Sequence, residues 1–482
     1  MKPLSMPVSR RSMITQSTAG AMALAAPRRA RAQTSADVIV IGAGLSGLYA
    51  AWLLEAQGFT VTVLEGRRRV GGRVFSVDTV PGHPEGGANA IAGAYARLRD
   101  MAQRLDIPLQ DNGPRRLANR GRTLILGGKV IAPDAWKDSA RNPFPRGAKE
   151  TMPWAYLPKL IAETNPYTSL DDWHAPDFFA HDISMHDFLT SRGASEAVIE
   201  LAVNTNFTYG TSAHDVSMMQ VYALDFWIKF QQQFKAGNMI AKGGNQRLPE
   251  GLARALKSEV RFGRRVVGLR NDAHGVDVVC DDGEIYRGAF AICSAPVSVL
   301  RLIKVDPVLT GAQAHAVKTV TYTPCTQVHM IPKSPFWEKD GLPPTMWSDG
   351  PAGFVAPFKL GDDLSEITSI TAFARDVQAA YLDSLDPEAA KAAVLRDIET
   401  ARPAAKGQLD AVHIHSWQRD PFSLGGDFML WAPGQIPQFY DTLWAPHGRI
   451  HFCGQHAAPT EFGMEGALES GERTALDVMK LM

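Results

Sequence analysis

Residues 37–41, Asp37-Val38-Ile39-Val40-Ile41, form a short apolar run, the pattern of a strand buried on both faces. Gly42-Ala43-Gly44-Leu45-Ser46-Gly47 follows at once, and a helical pattern fills residues 48–57 until Gly58 stops it. Phe59-Thr60-Val61-Thr62-Val63-Leu64 is the next strand and Glu65 closes it, so the spacing predicts a complete β-α-β unit. Residues 184–235 are rich in helix formers and aromatics, and residues 265–292 read as short strands broken at Asp281-Asp282-Gly283. Residues 386–402 carry an amphipathic helical pattern, with Pro387 near its start and Pro403 after its end. The turn-rich stretches 110–114 and 236–244 read as boundaries. No internal repeat or low-complexity stretch interrupts this plan.

Composition narrows the class. The 482 residues, 45% hydrophobic and 21% charged, suit two to four globular units at roughly 100–200 residues each. Lys+Arg and Asp+Glu both total 50, so there is no basic excess of the kind that marks a nucleic-acid binder. Cys280, Cys293, Cys325 and Cys453 form no CxxC pair, which argues against a structural zinc site or a redox dithiol. Residues 1–32 are distinct: Lys2, Arg10, Arg11, Arg28, Arg29 and Arg31 stand there with no acidic residue. Arg10-Arg11, a mildly apolar run through Ala26 and Ala30-Arg31-Ala32 read in order as a twin-arginine export signal. A basic tail is the plainer alternative. Export implies the twin-arginine machinery as a partner and a periplasmic or secreted protein. Removing the segment takes six positive charges from a balanced chain and leaves it at −6. No run of 18 apolar residues is present, so no membrane span is expected.

The first β-α-β unit carries candidate chemistry. Gly42 suits a tight turn, Gly44 lets backbone approach a pyrophosphate, and Gly47 lets helix and strand pack closely. Ser46 lies in the same loop, at the helix start, where N–H groups and a partial positive charge favour phosphate. Glu65, 18 residues after Gly47, can accept hydrogen bonds from a ribose. Arg67-Arg68-Arg69-Val70-Gly71-Gly72-Arg73 then combines close-approach glycines with an arginine suited to phosphate; a solvated basic turn is the other reading.

From here the sequence resembles the flavin-containing amine oxidase family, whose ribose acid is followed by a basic stretch ending in Gly-Gly-Arg. The resemblance runs from about residue 37 to the C-terminus. It implies noncovalent FAD, with Glu65 on the adenosine ribose and Gly72 and Arg73 near the pyrophosphate and flavin. Gly86-Gly87-Ala88-Asn89 looks like the family's turn beside the isoalloxazine. The stretch 243–252 resembles its second signature, which leads to Val266, where the backbone meets the adenine. Gly454, Gln455, Gly463 and Met464 fall in segments resembling the family's final strand, loop and helix, whose N-terminus points at the flavin. The family usually has Glu where Gln455 stands. The cysteine that links flavin in some members corresponds to Gly426, hence noncovalent attachment. The implied fold class is α/β: a Rossmann-like FAD-binding domain (37–112, 240–300 and 417–482) interleaved with an α+β substrate-binding domain (113–239 and 301–416).

The implied reaction removes a hydride from the carbon beside an amine nitrogen. The resulting imine hydrolyses to a carbonyl compound and ammonia or an amine. O2, giving hydrogen peroxide, or a redox protein accepts the electrons. Candidate catalytic residues follow from the family's motifs. Gln327, ten residues before Trp337 of Pro335-Phe336-Trp337, replaces a lysine that holds a water. Trp417 opens the Trp417-Gln418-Arg419-Asp420-Pro421-Phe422 motif, and the aromatic expected ten residues on is Asp427. Asp427 can pair with a cationic amine or serve as a turn carboxylate after Gly425-Gly426. The second aromatic position is Gly463, with Phe462 before it, so the usual two-ring cage looks open on both sides. Asn204, Phe207, Tyr209, Phe226 and Trp227 lie in the stretch expected to face substrate; Phe207, Tyr209 and Phe462 are the pocket candidates. An L-amino acid oxidase needs a cation for the substrate carboxylate, and no arginine stands in residues 86–96. A flavin desaturase acting on C–C bonds and a flavin-bearing binding protein are further alternatives. A homodimer is compatible with the family. His451 and His456 lack the carboxylate partner of a metal site, and Ser294 sits in no nucleophile elbow.

Overall fold

The computed structural model describes residues 34–116, 121–204, 211–426 and 428–482. The export segment, Phe207, Tyr209 and Asp427 therefore lie outside the described residues.

The apolar run at 37–41 lies in the strand Thr34–Ile41 of an eight-stranded sheet. It pairs in parallel with Val61–Glu65 on one side and Ile285–Cys293 on the other. Val38, Ile39 and Val40 are wholly buried, as a parallel strand covered on both faces requires. The helix between the first two strands runs Leu45–Ala56, three residues earlier than the apolar period suggests. Gly44 caps it, so Ser46 and Gly47 form its first turn rather than a preceding loop. The C-terminal helix Gly463–Leu481 packs across it so closely that a Cβ on Gly471 would stand 2.5 Å from the Ser46 carbonyl oxygen. Ile450–Phe452 joins the sheet beside Ile285–Cys293. Lys304–Asp306 extends its other end, beside Val266–Asp272.

A second sheet of seven strands runs from Leu409–Ser416 through Cys325–Pro332, Ser369–Arg375, Phe354–Phe358 and Met346–Ser348 to Thr123–Leu126 and Lys129–Ile131. The chain thus visits the first sheet, crosses to the second, returns for residues 261–306, crosses again for 325–416, and ends on the first. The helix Pro387–Ala401 covers one face, placing Val394 and Ile398 against Val328, Met330 and Ile370. Asp386 caps it by accepting the Glu388 and Ala389 N–H groups. Within 184–235 the longest helix is Met218–Gln232, capped by Ser217. The four cysteines are buried and not bonded to one another. Among the described residues no helix is long and apolar enough to cross a membrane.

Candidate active site

A cavity of about 640 Å³ runs from the C-terminal ends of the first sheet's parallel strands to the helix Met218–Gln232. At one end it is lined by Arg264, Val266 and Glu65, in the middle by Gly44, Arg73, Gly87 and Trp417, and at the other by Tyr95, Trp227 and Phe462.

The dinucleotide end is built by the β-α-β unit. Gly42 has φ +99°, and its N–H donates to the Leu64 carbonyl, turning the chain between two parallel strands. A Cβ on Gly44 would meet nothing within 4 Å, so this backbone faces open cavity. A Cβ on Gly47 would lie 2.2 Å from the Gly42 carbonyl oxygen, so Gly47 serves packing and does not line the cavity. Glu65 is buried, and its two oxygens accept the Ala43 and Arg67 N–H groups, each at 2.8 Å. Each oxygen keeps lone-pair capacity for a hydroxyl. Arg67 forks onto Asp420 at 2.5 and 3.3 Å and donates to Ser423, its guanidinium over the Phe422 ring. Arg69 turns inward onto the carbonyls of Val70, Gly72 and Val74, and burial pulls it down to about 10. Arg73 donates to the Gly426 carbonyl at 2.8 Å and stacks over Tyr322, 5.2 Å from its centroid.

In the middle, Gly87 is pressed between the Arg73 backbone and the Trp417 ring, and a Cβ there would collide with the Arg73 carbonyl oxygen. The Trp417 indole N–H donates to the Gly86 carbonyl at 2.7 Å, and Asn245 donates to that of Ala88. Ala88 and Asn89 continue the wall. Glu85 ties this turn to the 243–246 turn by accepting from Asn245 N–H and Ser76. Burial pushes the Glu85 carboxyl up to about 8, against those hydrogen bonds. From the last segment come Gly454, Gln455, His456, Gly463 and Met464. Gln455 Oε1 and His456 Nδ1 are buried in this wall without partners, atoms that a bound polar ligand would satisfy. Burial holds His456 neutral, at about 3.

The other sequence candidates fall differently. Ser46, Glu65, Gly72, Val266 and Phe462 line the cavity with the residues above. Gln327 does not. It is buried in the strand Cys325–Pro332, paired with Phe373 and His415, with Nε2 4.0 Å from Cys325 Sγ. His415 in turn meets Trp417 edge-on at 4.2 Å. Gly463 does not open space, because Tyr95 fills it: a Cβ there would stand 2.5 Å from the Tyr95 hydroxyl. Gly463 also has φ +63°, a conformation that favours glycine. Trp227 reaches the wall, whereas Phe226 packs against the core. Sequence reasoning passed over Tyr95, Gln231 and Phe428, which line the cavity, and Glu461, which accepts from Trp227 Nε1 at 2.9 Å. Only the i, i+4 spacing of Trp227 and Gln231 on one helix offered a signal.

A model of the flavin-containing amine oxidoreductases matches residues 45–479. The chain is 24% identical over 487 residues to an L-amino-acid oxidase of Bothrops moojeni, spanning 92% of this chain and 89% of that one. It is 22% identical to an L-amino-acid oxidase of Naja atra, over 92% of this chain and 87% of the other. Its fold is similar to that of cyclohexylamine oxidase from Brevibacterium oxydans IH-35A, with TM-score 0.74, 22% identity, and coverage of 92% and 99%. Putrescine oxidase bound to putrescine aligns with TM-score 0.73, 22% identity, and coverage of 93% and 100%.

Proposed function

Because the chain belongs to the flavin-containing amine oxidoreductase family, and is thereby an oxidoreductase, we propose that it oxidises the C–N bond of a small amine with noncovalent FAD. The observation that carries this reading is one cavity joining a dinucleotide cradle to an aromatic end. The cradle fits FAD: open backbone at Gly44, Glu65 for the ribose, Arg73 near the phosphates, and unpartnered Gln455 and His456 atoms. Gly426 supplies no thiol, consistent with noncovalent attachment. Bound there, FAD would supply two-electron oxidation of the C–H bond beside nitrogen, with O2 or another acceptor as the final oxidant.

The chain's own residues bind, orient and exclude water. Trp417 braces the Gly86–Gly87 turn, so the cavity wall has one shape rather than several. The aromatic end strips water from the amine and favours its neutral form, whose lone pair supports loss of hydride. With O2 the balance is amine, O2 and water giving a carbonyl compound, ammonia and hydrogen peroxide. No dedicated protein base enters this scheme; Asp427 and Trp417 remain proposed site residues, and Gln327, buried in the second sheet off the cavity wall, is not among them. Around the cradle we assign an FAD-binding domain of 37–112, 240–300 and 417–482, with 113–239 and 301–416 for substrate. Residues 1–32 are proposed to direct twin-arginine export to the periplasm or beyond.

An amine without a carboxylate is favoured over an amino acid. Among the described residues the cavity-lining arginines are Arg67, Arg73, Arg264 and Arg265, which stand at the cradle and the middle of the cavity, not at the aromatic end. Arg67 and Arg264 are moreover paired with carboxylates there. The L-amino-acid oxidase alternative draws on the sequence relatives and requires a cation at the aromatic end. Anaerobic bleaching of the flavin by a panel of amines, polyamines and L-amino acids, followed by air, tests the proposal. Bleaching by amines is expected. Bleaching by L-amino acids alone would replace the reading, and a yellow protein that nothing bleaches would sink it.

A further inference from the structure

Among the described residues, the aromatic end of the cavity holds a buried polar group that the scheme above leaves unused. The helix Met218–Gln232 brings Trp227 and Gln231, one turn apart, to the wall. Gln231 is only 8% exposed. Its Oε1 accepts the Ala94 N–H at 2.8 Å, which fixes the amide's orientation. The other end, Nε2 with two hydrogens, is buried without a partner. Buried donors in folded proteins are almost always satisfied. This one lines a cavity, so a ligand acceptor is its natural partner.

The surroundings say which acceptor. Trp227 is held by its hydrogen bond to Glu461 and packs edge-on against Phe462, with ring centroids 5.7 Å apart. Tyr95 tilts against the other side of Trp227, 6.1 Å away, and its hydroxyl hydrogen is given to the Phe462 carbonyl at 3.3 Å. These groups form an apolar wall. Among the described residues no lysine or arginine lines this wall, so nothing on it pairs with a carboxylate ligand. An ammonium offers Gln231 no lone pair and is excluded as its partner. A neutral oxygen on an apolar arm satisfies both the donor and the wall.

We propose that Gln231 is a specificity-determining residue, donating through Nε2 to an oxygen on the substrate's apolar arm. The preferred substrates are then amines whose aliphatic or aromatic arm bears a hydroxyl, ether or carbonyl oxygen. This rests on the amine-oxidation reading above.

The test compares matched pairs on the FAD-loaded protein: 2-phenylethylamine with its 4-methoxy counterpart, and hexylamine with 6-amino-1-hexanol. The oxygen-bearing member should have kcat/KM about tenfold higher, carried mainly in KM, the size of one buried hydrogen bond. Gln231→Leu removes both bonds. Gln231→Glu, assayed at a pH where the new carboxyl is ionised, keeps an acceptor for the Ala94 N–H and removes the donor, so it separates a folding defect from lost recognition. Both variants should lose the preference, with the kcat/KM of the oxygen-bearing amine falling to that of its plain counterpart. A wild type without the preference, or variants that keep it, would overturn the inference. So would variants that lose FAD absorbance on gel filtration, since Gln231 would then hold the cofactor. If no amine bleaches the flavin, the amine reading falls and takes this inference with it. Bleaching without an oxygen preference defeats the inference alone.

Discussion

Gly463 and Glu65 show how single residues shape the cavity. At Gly463 two constraints coincide, a left-handed backbone and the Tyr95 hydroxyl 2.5 Å from any added Cβ. Gly463→Ala should therefore lower stability by about 1–3 kcal/mol in urea unfolding. Tyr95→Phe in the same chain should recover part of the loss, because the colliding oxygen is gone but the backbone strain is not. No recovery would mean that the collision is not the cause. Glu65 spends one lone pair on each of two backbone N–H groups. Glu65→Gln turns one acceptor into a donor facing an N–H, at a cost of about 1–3 kcal/mol. A lower melting temperature and a smaller ratio of flavin to protein absorbance after gel filtration are expected.

At the level of elements, the cavity wall depends on turns pinned by side chains far away in sequence. Trp417 follows a strand of the second sheet yet holds the Gly86 carbonyl of the glycine turn. Trp417→Phe keeps a ring and leaves that carbonyl unpaired, so about 1–3 kcal/mol of stability should be lost in chemical unfolding. A variant as stable as the wild type would show that the turn does not rely on this bond. Glu85 joins the same turn to the 243–246 turn. Its folded-state pKa, raised by burial to about 8, lies above the ordinary carboxyl value of 4.5. The folded protein thus holds a proton that the unfolded chain releases between these values. The associated stability is complete below about pH 4.5 and is lost as pH rises through about 8. Glu85→Gln mimics the protonated form and should flatten the melting temperature across that window. An unchanged pH dependence would show that Glu85 does not titrate this way.

Across the whole molecule, the first sheet, the helix Met218–Gln232, the segment that follows the second sheet and the last helix meet around one cavity, so ligand binding there and folding are linked. FAD at about 100 times its dissociation constant should stabilise the apoprotein by about 2.7 kcal/mol, read as a rise in melting temperature. Adenosine diphosphate reaches only the Glu65 and Val266 end and should stabilise less. Equal effects would place the binding energy wholly in the cradle. The cradle was legible in the sequence because its parts are local: strand, glycine turn, helix and acid follow within residues 37–65. Chain order and backbone geometry allow few other uses for that pattern. The helix at 386–402 was legible for the same reason, a regular period with prolines at its ends. The aromatic end was not. Tyr95, Trp227, Gln231, Phe428 and Glu461 come from four separate segments, and only Trp227 and Gln231, four apart on one helix, stand at a spacing that announces a neighbour. Gly463 read as open space because a sequence shows a missing side chain but not the Tyr95 that fills it. Gln327 read as a cavity residue by its offset from Trp337, whereas strand register turns it into the sheet interior. The sequence by itself determined the dinucleotide cradle and the family, since local periodicity and short motifs encode them. Only the tertiary structure decided what lines the aromatic end of the cavity, because that wall forms where distant segments close on one another.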